Sequence, residues 1–281
     1  MKTYLDCYPC FLRQALSASR RAGADPEQEY AVMQRVLALL QSLERGATPP
    51  EIGYEIHRAV REEITAEDPY HEDKVLSTQQ ALTLYPRLES LVAQSDDALE
   101  VSVRLSIAGN IIDFGVTEQH DDLWSTVERV LAQPFAIDDL GALRAELARA
   151  DHVLFLADNA GETVFDRLLV EVLPVPVVYA VKGGPILNDA TLEDATAAGL
   201  DRCATLITTG SDVPGTILSR CSDEFRRHFE SAPVVIAKGQ GNYETLSEAG
   251  PTVFCLLQVK CPVIGDDIGA PAGSIVVRRS S

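Results

Sequence analysis

The sequence lacks the features that mark membrane and secreted proteins. It contains no apolar run of about eighteen residues, roughly the length that a bilayer-spanning helix needs. Its first residues, Met1–Tyr4, lack the apolar core of a signal peptide. We therefore expect a cytoplasmic protein with no membrane partner.

Basic residues are also scarce. The chain carries 24 Lys and Arg against 42 Asp and Glu, a net charge of −18 over 281 residues. Proteins that bind nucleic acid neutralise phosphates with Lys and Arg, so we expect no nucleic-acid partner. A small anion still fits this composition, because a local pocket of lysines and backbone amides does not depend on the net charge.

Cysteine is present at six positions, and in a long chain without a leader these are expected to be thiols rather than disulfides. Cys203, Cys221 and Cys255 lie in or beside apolar stretches, which indicates small buried hydrophobic residues.

Cys7 and Cys10 have the C-x-x-C spacing of redox and zinc sites. They precede a predicted helix rather than follow a strand, unlike a thioredoxin motif. Three interpretations stay open: structural thiols, a redox pair, or a second metal site completed by Cys261 or a histidine.

The first hundred residues predict helices and no strand of any length. Apolar residues recur with the 3.6-residue period over Ala31–Leu43 and Ile52–Ile64, and Ser77–Ala93 and Ala98–Ile112 continue this pattern. We predict an all-helical N-terminal domain over residues 1–95.

After residue 150, short Val- and Ile-rich runs alternate with helical patterns. The predicted strands are Val153–Ala157, Val175–Val181, Cys203–Thr208, Val234–Ala237 and Thr252–Val259. The predicted helices between them are Thr163–Leu173, Thr191–Ala198, Pro214–Glu230 and Asn242–Ala249, and Ser274–Arg278 is expected to add an edge strand. This alternation predicts an α/β protein: a Rossmann-like three-layer α/β/α core with a mainly parallel sheet, over residues 96–281.

Ligands of such sheets bind outside the carboxyl ends of the strands. The first of these ends carries Asp158 and Asn159, and the loop after the next strand carries Asp189. Their hard oxygen atoms suit Mg²⁺, Mn²⁺ or a similar divalent cation. The alternative is that each acid caps the helix that follows it. The amides of Gly161 and Glu162, at a helix start, favour an anion.

Three lysines follow predicted strands: Lys182, Lys238 and Lys260. We expect their ammonium groups at the rim of one crevice, where a cation and several ammonium groups would neutralise a phosphoryl group. The alternative is solvated lysines at strand ends. A dinucleotide is not expected, because no G-x-G-x-x-G motif follows the first strand.

One acid lies upstream in apolar surroundings, Asp113 in the stretch Ser106–Val116. It is either part of a helix terminus together with Asn110 or a group that assists the site, for example as a general base.

These motifs together resemble the domain of unknown function 89 family, whose members are described as damage-control phosphatases. The resemblance covers nearly the whole chain, and the N-terminal cysteine pair is most similar to the prokaryotic branch. It is carried by C-x-x-C at 7–10, GNIIDFG at 109–115, ADNAGE at 157–162, VKGGPILNDAT at 181–191, KGQGNYE at 238–244 and VKC at 259–261.

The resemblance implies a helical domain packed on a Rossmann-like core and a metal-dependent phosphatase of sugar phosphates or damaged metabolites. The implied metal ligands are Asp158, Asn159 and Asp189, and the implied phosphate-binding lysine is Lys260. Further residues in the family motifs are assigned to substrate binding: Asn110, Asp113, Gly161, Glu162, Lys182, Lys238, Asn242 and Glu244.

The sequence thus predicts a hydrolase of small phosphomonoesters that uses Mg²⁺, Mn²⁺, Co²⁺ or Ni²⁺, with Asp158, Asp189 and Lys260 in catalysis. Attack by an activated water and attack by Asp158 itself both stay open. The rival interpretations are a sugar-phosphate or nucleotide sensor without turnover and, with less support, a carboxyl methyltransferase. The sequence predicts neither the natural substrate nor the oligomeric state.

Overall fold

The computed structural model describes residues 1–43, 46–65, 68–111 and 123–281. Asp113 lies outside the described residues. Within these ranges, none of the helices has both the length and the apolar character needed to cross a bilayer.

The N-terminal part is helical. Its helices are α1 (Cys7–Arg21), α2 (Pro26–Gln41), α3 (Pro49–Ile64), α4 (His71–Ala93), α5 (Ala98–Ile111) and α6 (Leu123–Ala132). Asp25 and Thr48 begin α2 and α3 with capping boxes and a proline in the first turn. Helices α1 to α3 bury one apolar cluster around Phe11, Val36 and Ile56.

The remainder alternates strands and helices. The strands are β1 (Phe135–Asp138), β2 (Val153–Leu156), β3 (Val177–Val181), β4 (Thr205–Thr208), β5 (Val235–Lys238), β6 (Val253–Gln258) and β7 (Ile275–Arg279). The helices are α7 (Leu140–Leu147), α8 (Thr163–Val172), α9 (Leu192–Ala197), α10 (Asp223–Ser231), α11 (Gly239–Leu246) and α12 (Pro262–Ile268).

Among the described residues the strands form one seven-stranded sheet in the order β1-β7-β6-β5-β2-β3-β4. All neighbouring pairs are parallel except β6 and β7. Both faces are covered: Phe155 and Ile236 pack into the cluster on the α5 and α8 side, and Leu154 and Val235 into the cluster on the other side. The predicted three-layer α/β/α fold is confirmed.

The position of β7 corrects one expectation. The segment Ser274–Arg278 was expected to form a strand at the sheet edge, but β7 lies between β1 and β6. The strand at this edge is β1, which the sequence did not indicate, and β4 forms the opposite edge. Only alternate residues of the four in β1, Phe135 and Ile137, are partly buried, so β1 lacks the apolar run that marks the central strands.

Two predicted helices begin elsewhere. Within Pro214–Glu230 the α-helix begins only at Asp223. Ser222 is its N-cap, and the Ser222 side chain accepts a hydrogen bond from the Phe225 amide. The segment after β5 was expected to be a loop to residue 242, but α11 begins at Gly239. Gly239 has φ of +77°, which lets the chain turn directly from strand to helix.

The domain boundary at residue 95 stays a prediction. Helix α4 contributes Tyr85 and Leu88 to the same apolar cluster as the sheet residue Phe155. Helices α1 to α3 form a separate apolar cluster. Thus α4 packs directly on the α/β core.

Candidate active site

A cavity of about 580 Å³ lies at the carboxyl ends of the central strands, beneath α1 and the start of α3. Strand-end loops contribute Asp158, Asn159, Asp189 and Lys260 to its lining. The helical region contributes apolar walls that include Phe11. The cavity therefore has a polar floor on the sheet side and a mixed cover on the helical side, where Arg13 and Gln14 lie beside the apolar residues.

Two strand-end loops are joined by backbone hydrogen bonds in the cavity floor. Asn159 and Asp189 form an isolated antiparallel bridge. The Ala190 amide donates to the Asp158 carbonyl at 2.8 Å, and the Ala160 amide donates to the Asn188 carbonyl at 2.9 Å. Since β2 and β3 are neighbours, this pairing continues their contact beyond the sheet and brings the two loops together.

The helix-cap alternative for these acids is wrong. Helix α8 has Glu162 at its N-cap position, without a side-chain cap hydrogen bond. Helix α9 is capped by Thr191, whose side chain forms a capping box with Asp194. Neither Asp158 nor Asp189 therefore caps these helices.

The Asn159 side chain has a defined orientation. Its Nδ2 donates to Asp158 Oδ2 at 3.0 Å and to Glu162 Oε2 at 3.1 Å. Only the amine end of an amide can donate to two carboxylate oxygens, so the Oδ1 atom takes the opposite side. Asn110 makes a similar pair of bonds through its Nδ2, to Asp158 Oδ2 at 2.8 Å and Glu162 Oε2 at 3.0 Å.

The donor atoms in the floor of the cavity are of the kind that divalent cations prefer. Two carboxylates and an amide are hard oxygen donors. Asp189 Oδ2 is buried without a hydrogen-bond partner, although Lys182 Nζ lies 3.4 Å away as an ion pair. The described residues contain no group of three or more His, Cys, Asp or Glu side chains placed to hold a metal. A site here thus depends on two carboxylates with Asn159 as the third donor.

The electrostatics of the floor disfavour two free carboxylates. Burial, then the nearby Glu162 and Asp189 carboxylates, raise the pKa of Asp158 to about 8. Burial also raises the pKa of Asp189, against the opposing effect of Lys182. A cation bound between them would remove this penalty.

The expectation that three ammonium groups share the cavity rim is corrected for Lys238. Its side chain is completely buried beneath the floor. Its Nζ bonds to Glu162 Oε1, to Asp166 Oδ1 at 2.7 Å and to the Ser106 carbonyl at 3.0 Å. Burial opposes the charge on Lys238, but the two carboxylates more than offset this and raise its pKa.

Lys182 is also buried, and its Nζ bonds to the Gly215 carbonyl beside its ion pair with Asp189. Lys260 is the exposed member of the three and lines the cavity. The reason for the difference is local: Lys260 precedes α12 at the surface, whereas the ends of β3 and β5 lie deeper in the sheet.

Other expected substrate contacts are placed differently. Asn242 is buried, and its side chain bonds to the Ala157 and Lys238 carbonyls and to Thr216. Gly161 is buried and absent from the cavity lining. Glu244 does line the cavity, and burial raises its pKa to about 7. The binding roles of these residues stay predictions.

The three cysteines of interest line the same cavity. Cys7 and Cys10 lie in the first turn of α1, and Cys261 precedes α12. All six cysteines, each within the described ranges, are free thiols. No group of three ligating side chains suited to a metal occurs among the described residues, so the second-metal interpretation gains no support. The redox interpretation stays a prediction.

Sequence reasoning missed Asp166. This residue of α8 is fully buried and accepts hydrogen bonds from Lys238, from Ser106 Oγ at 2.7 Å and from the Tyr179 hydroxyl at 2.8 Å. One signal was available: Asp166 stands four residues after Glu162, so both acids lie on one helical face among apolar neighbours.

Gly239 belongs to the KGQGNYE motif but had no predicted role of its own, and its position gives a testable expectation. A Cβ atom there would overlap the Asp158 carboxylate. We expect Gly239→Ala to displace Asp158 and to weaken divalent-cation binding by at least about tenfold. Gly269→Ala is the matched control, because Gly269 has a similar φ of +81° and open space around it. Calorimetric titration with Mn²⁺ measures both; equal affinities of the two variants would contradict this placement.

The comparisons with known proteins agree with this architecture. Residues 3–276 match the damage-control phosphatase ARMT1-like domain. The chain is 35% identical to an uncharacterized protein of Methanocaldococcus jannaschii, over 98% of this chain and 94% of that protein. It is 34% identical to the damage-control phosphatase PH1575 of Pyrococcus horikoshii, over 100% of this chain and 99% of that protein. It is 36% identical to a damage-control phosphatase of Archaeoglobus fulgidus, over 79% of this chain and 80% of that protein.

The crystal structure of the Pyrococcus horikoshii protein, described as a member of the domain of unknown function 89 family, superposes with a TM-score of 0.90 over 100% of both chains. Fold and cavity together define an α/β protein with an acidic, oxygen-lined site at the carboxyl edge of its sheet. The chain belongs to the damage-control phosphatase ARMT1-like family, and the predicted family is confirmed. Two of these relatives are named damage-control phosphatases.

Proposed function

We propose that this protein is a metal-dependent phosphatase that hydrolyses phosphomonoesters of small metabolites. The supporting observation is the joined pair of loops, which brings Asp158, Asn159 and Asp189 into one cavity with Lys260. The phosphatase names of the relatives support the reaction class.

The charge balance of the floor supports a divalent cation. Among the described side chains, four carboxyl groups surround two buried lysines: Asp158, Glu162, Asp166 and Asp189 with Lys182 and Lys238. Full ionisation of these six groups leaves two negative charges, of which Lys260 at the cavity compensates one, so the floor stays acidic and favours a bound cation. Asp158, Asn159 and Asp189 would hold this cation.

A divalent cation in such a site draws charge from phosphoryl oxygens and makes water more acidic. The chain's own residues do the rest. Lys260 offers a positive charge at the cavity for the phosphate dianion, and Asp158 is placed either to hold the cation or to attack phosphorus itself. The apolar residues Phe11 and Pro49 of the helical side would pack beside the ester's organic group.

The size of the cavity supports a small substrate. A volume of about 580 Å³ lies within the range of roughly 300–1,000 Å³ found for small-molecule sites. Phe11, Pro49 and Leu187 give part of its wall an apolar character. A sugar phosphate or a similar phosphorylated metabolite fits this combination of polar floor and apolar wall.

A phosphatase screen tests the proposal. Chelator-treated protein is assayed on a panel of phosphomonoesters with Mg²⁺, Mn²⁺, Co²⁺ or Ni²⁺ added in parallel. We expect hydrolysis only after a cation is restored. Binding of phosphoesters without turnover under every condition would support the sensor instead, and hydrolysis unaffected by chelation would contradict metal dependence.

Cation binding is expected to depend on pH. Because the pKa of Asp158 is about 8 without metal, the carboxyl group is mostly protonated at pH 7 and must lose this proton to bind a cation. Affinity should therefore rise about tenfold per unit between pH 6 and pH 8, then level off. Glu244→Gln removes the other cavity carboxyl group with a pKa near 7 and should keep this dependence. Calorimetry at several pH values measures it; a flat profile would contradict the assignment.

A further inference from the structure

Glu162 is enclosed below the cavity floor. Its side chain is fully buried, and the residue is absent from the cavity lining. Its Oε1 atom accepts from Lys238 Nζ. Its Oε2 atom accepts from the Nδ2 atoms of Asn110 at 3.0 Å and Asn159 at 3.1 Å. Both carboxylate oxygens therefore accept from protein donors, and the buried side chain lies away from the cavity where a substrate would bind.

The bond to Asn159 determines which end of the amide faces the cavity. An asparagine side chain presents either oxygen or nitrogen, and the two ends are nearly equal in shape. Only the oxygen can bind a cation. With Asp158 Oδ2 and Glu162 Oε2 both accepting from Nδ2, a reversed amide would place its oxygen against two carboxylate oxygens. The reversed orientation is therefore strongly disfavoured.

Lys238 makes this arrangement stable. A buried carboxylate is costly unless it is paired, and Lys238 bonds to both Glu162 and Asp166. Asp166 is held in turn by Ser106 and Tyr179. The support thus extends from the Asn159 amide to a buried hydrogen-bonded network between α5, α8, β3 and β5.

We propose that Glu162 is a positioning residue that keeps the Asn159 oxygen turned toward the cation, with Lys238 holding the Glu162 side chain in place through a hydrogen bond. This inference rests on the proposed metal-dependent function and reassigns Glu162 from substrate binding. Glu162 acts through Asn159, as an outer hydrogen-bond partner acts through a metal ligand.

Two substitutions separate positioning from charge alone. Glu162→Asp keeps the negative charge but shortens the side chain by one methylene, so it no longer reaches both Lys238 and Asn159. Asp166→Asn removes a negative charge from the same lysine, but Asp166 bonds to Lys238, Ser106 and Tyr179 rather than to Asn159 and lies one helical turn further along α8. Outer-partner substitutions lower metal affinity by about 10–100-fold. We expect that loss for Glu162→Asp and less than about threefold for Asp166→Asn.

The experiment titrates Mn²⁺ into the metal-free, full-length variants by calorimetry, after thermal melting shows which of them are folded at the assay temperature. Glu162→Gln is measured as well, so that an unfolded Glu162→Asp protein still leaves a test. A purely structural role would lower the melting temperature without changing the Mn²⁺ affinity of the folded protein. A role in substrate binding would raise KM and leave the Mn²⁺ affinity unchanged.

The outcomes distinguish this inference from the proposed function. If the unsubstituted protein binds no divalent cation at this site, the proposed function fails first. If it binds Mn²⁺ and the folded Glu162 variants bind it equally well, the positioning role is overturned while the metal site stands. If Asp166→Asn weakens binding as much as Glu162→Asp does, buried charge rather than contact with Asn159 is responsible, which also overturns it.

Discussion

Asp158→Ala is expected to abolish metal-dependent phosphatase activity, with a loss on the order of a thousandfold or more. The substitution removes one of the three proposed metal ligands and, if Asp158 attacks phosphorus directly, the nucleophile as well. It also removes the acceptor that Asn110 and Asn159 share. Assays of kcat/KM on the best substrate of the panel, with saturating cation, measure the loss.

The fold should survive this change. The pKa of Asp158 is raised to about 8, so the folded protein binds this proton more tightly than the unfolded chain does. Stability therefore falls as pH rises from about 4 toward 8 and the buried group ionises. The isosteric Asp158→Asn variant removes that loss, so its metal-free melting temperature at pH 8 should equal or exceed that of the unsubstituted protein.

Asp266→Ala provides the matched control. Asp266 lines the same cavity and has the same side chain, but it is exposed. Its removal should change kcat/KM by less than about threefold. Activity retained in folded Asp158→Ala would mean that the reaction takes place in a different pocket.

Lys238→Met is expected to lower the free energy of unfolding by about 3–5 kcal/mol, the cost of breaking a buried ion pair by removing one partner. Methionine has similar length and no charge, so Glu162 and Asp166 are left buried without their shared cation. Denaturant unfolding of the metal-free protein, followed by circular dichroism, measures this difference.

Two comparisons test the cause. Lys260→Met removes an exposed lysine and should change the unfolding free energy by less than about 0.5 kcal/mol. Adding Asp166→Asn to Lys238→Met removes one uncompensated carboxylate and should recover part of the lost stability. If Lys238→Met unfolds at the same denaturant concentration as the unsubstituted protein, the lysine is not a stabilising partner of these acids.

The central sheet was predictable because each central strand is buried on both faces and appears as a continuous apolar run, as at Val153–Leu156 and Val177–Val181. Strand β1 was not predictable from such a run because it covers an edge and buries only alternate residues. With β1 unrecognised, the final strand β7 was assigned to the edge that β1 occupies.

Within the site, the sequence predicted which loops meet but not how deep their side chains lie. Loop position follows from strand order, because the carboxyl ends of neighbouring parallel strands lie at one edge. The direction of a long side chain depends on what packs above it. Lys238 turns inward because α5 and α8 place Ser106, Glu162 and Asp166 around its ammonium group, whereas Lys260 meets solvent.

The roles of Asn159 and Glu162 could not be separated from sequence. In ADNAGE both are polar residues near a helix start, and each suits a cap, a ligand or an anion site. Only the distances show that Glu162 accepts from the Asn159 side chain and lies away from the cavity.

An anomalous difference map from crystals grown with Mn²⁺ tests the central claim most directly. We predict one peak in the cavity floor, within bonding distance of oxygen atoms from Asp158, Asn159 and Asp189, with the Asn159 Nδ2 still turned toward Glu162. A map without a peak there, or with Mn²⁺ bound at other residues, would contradict the account.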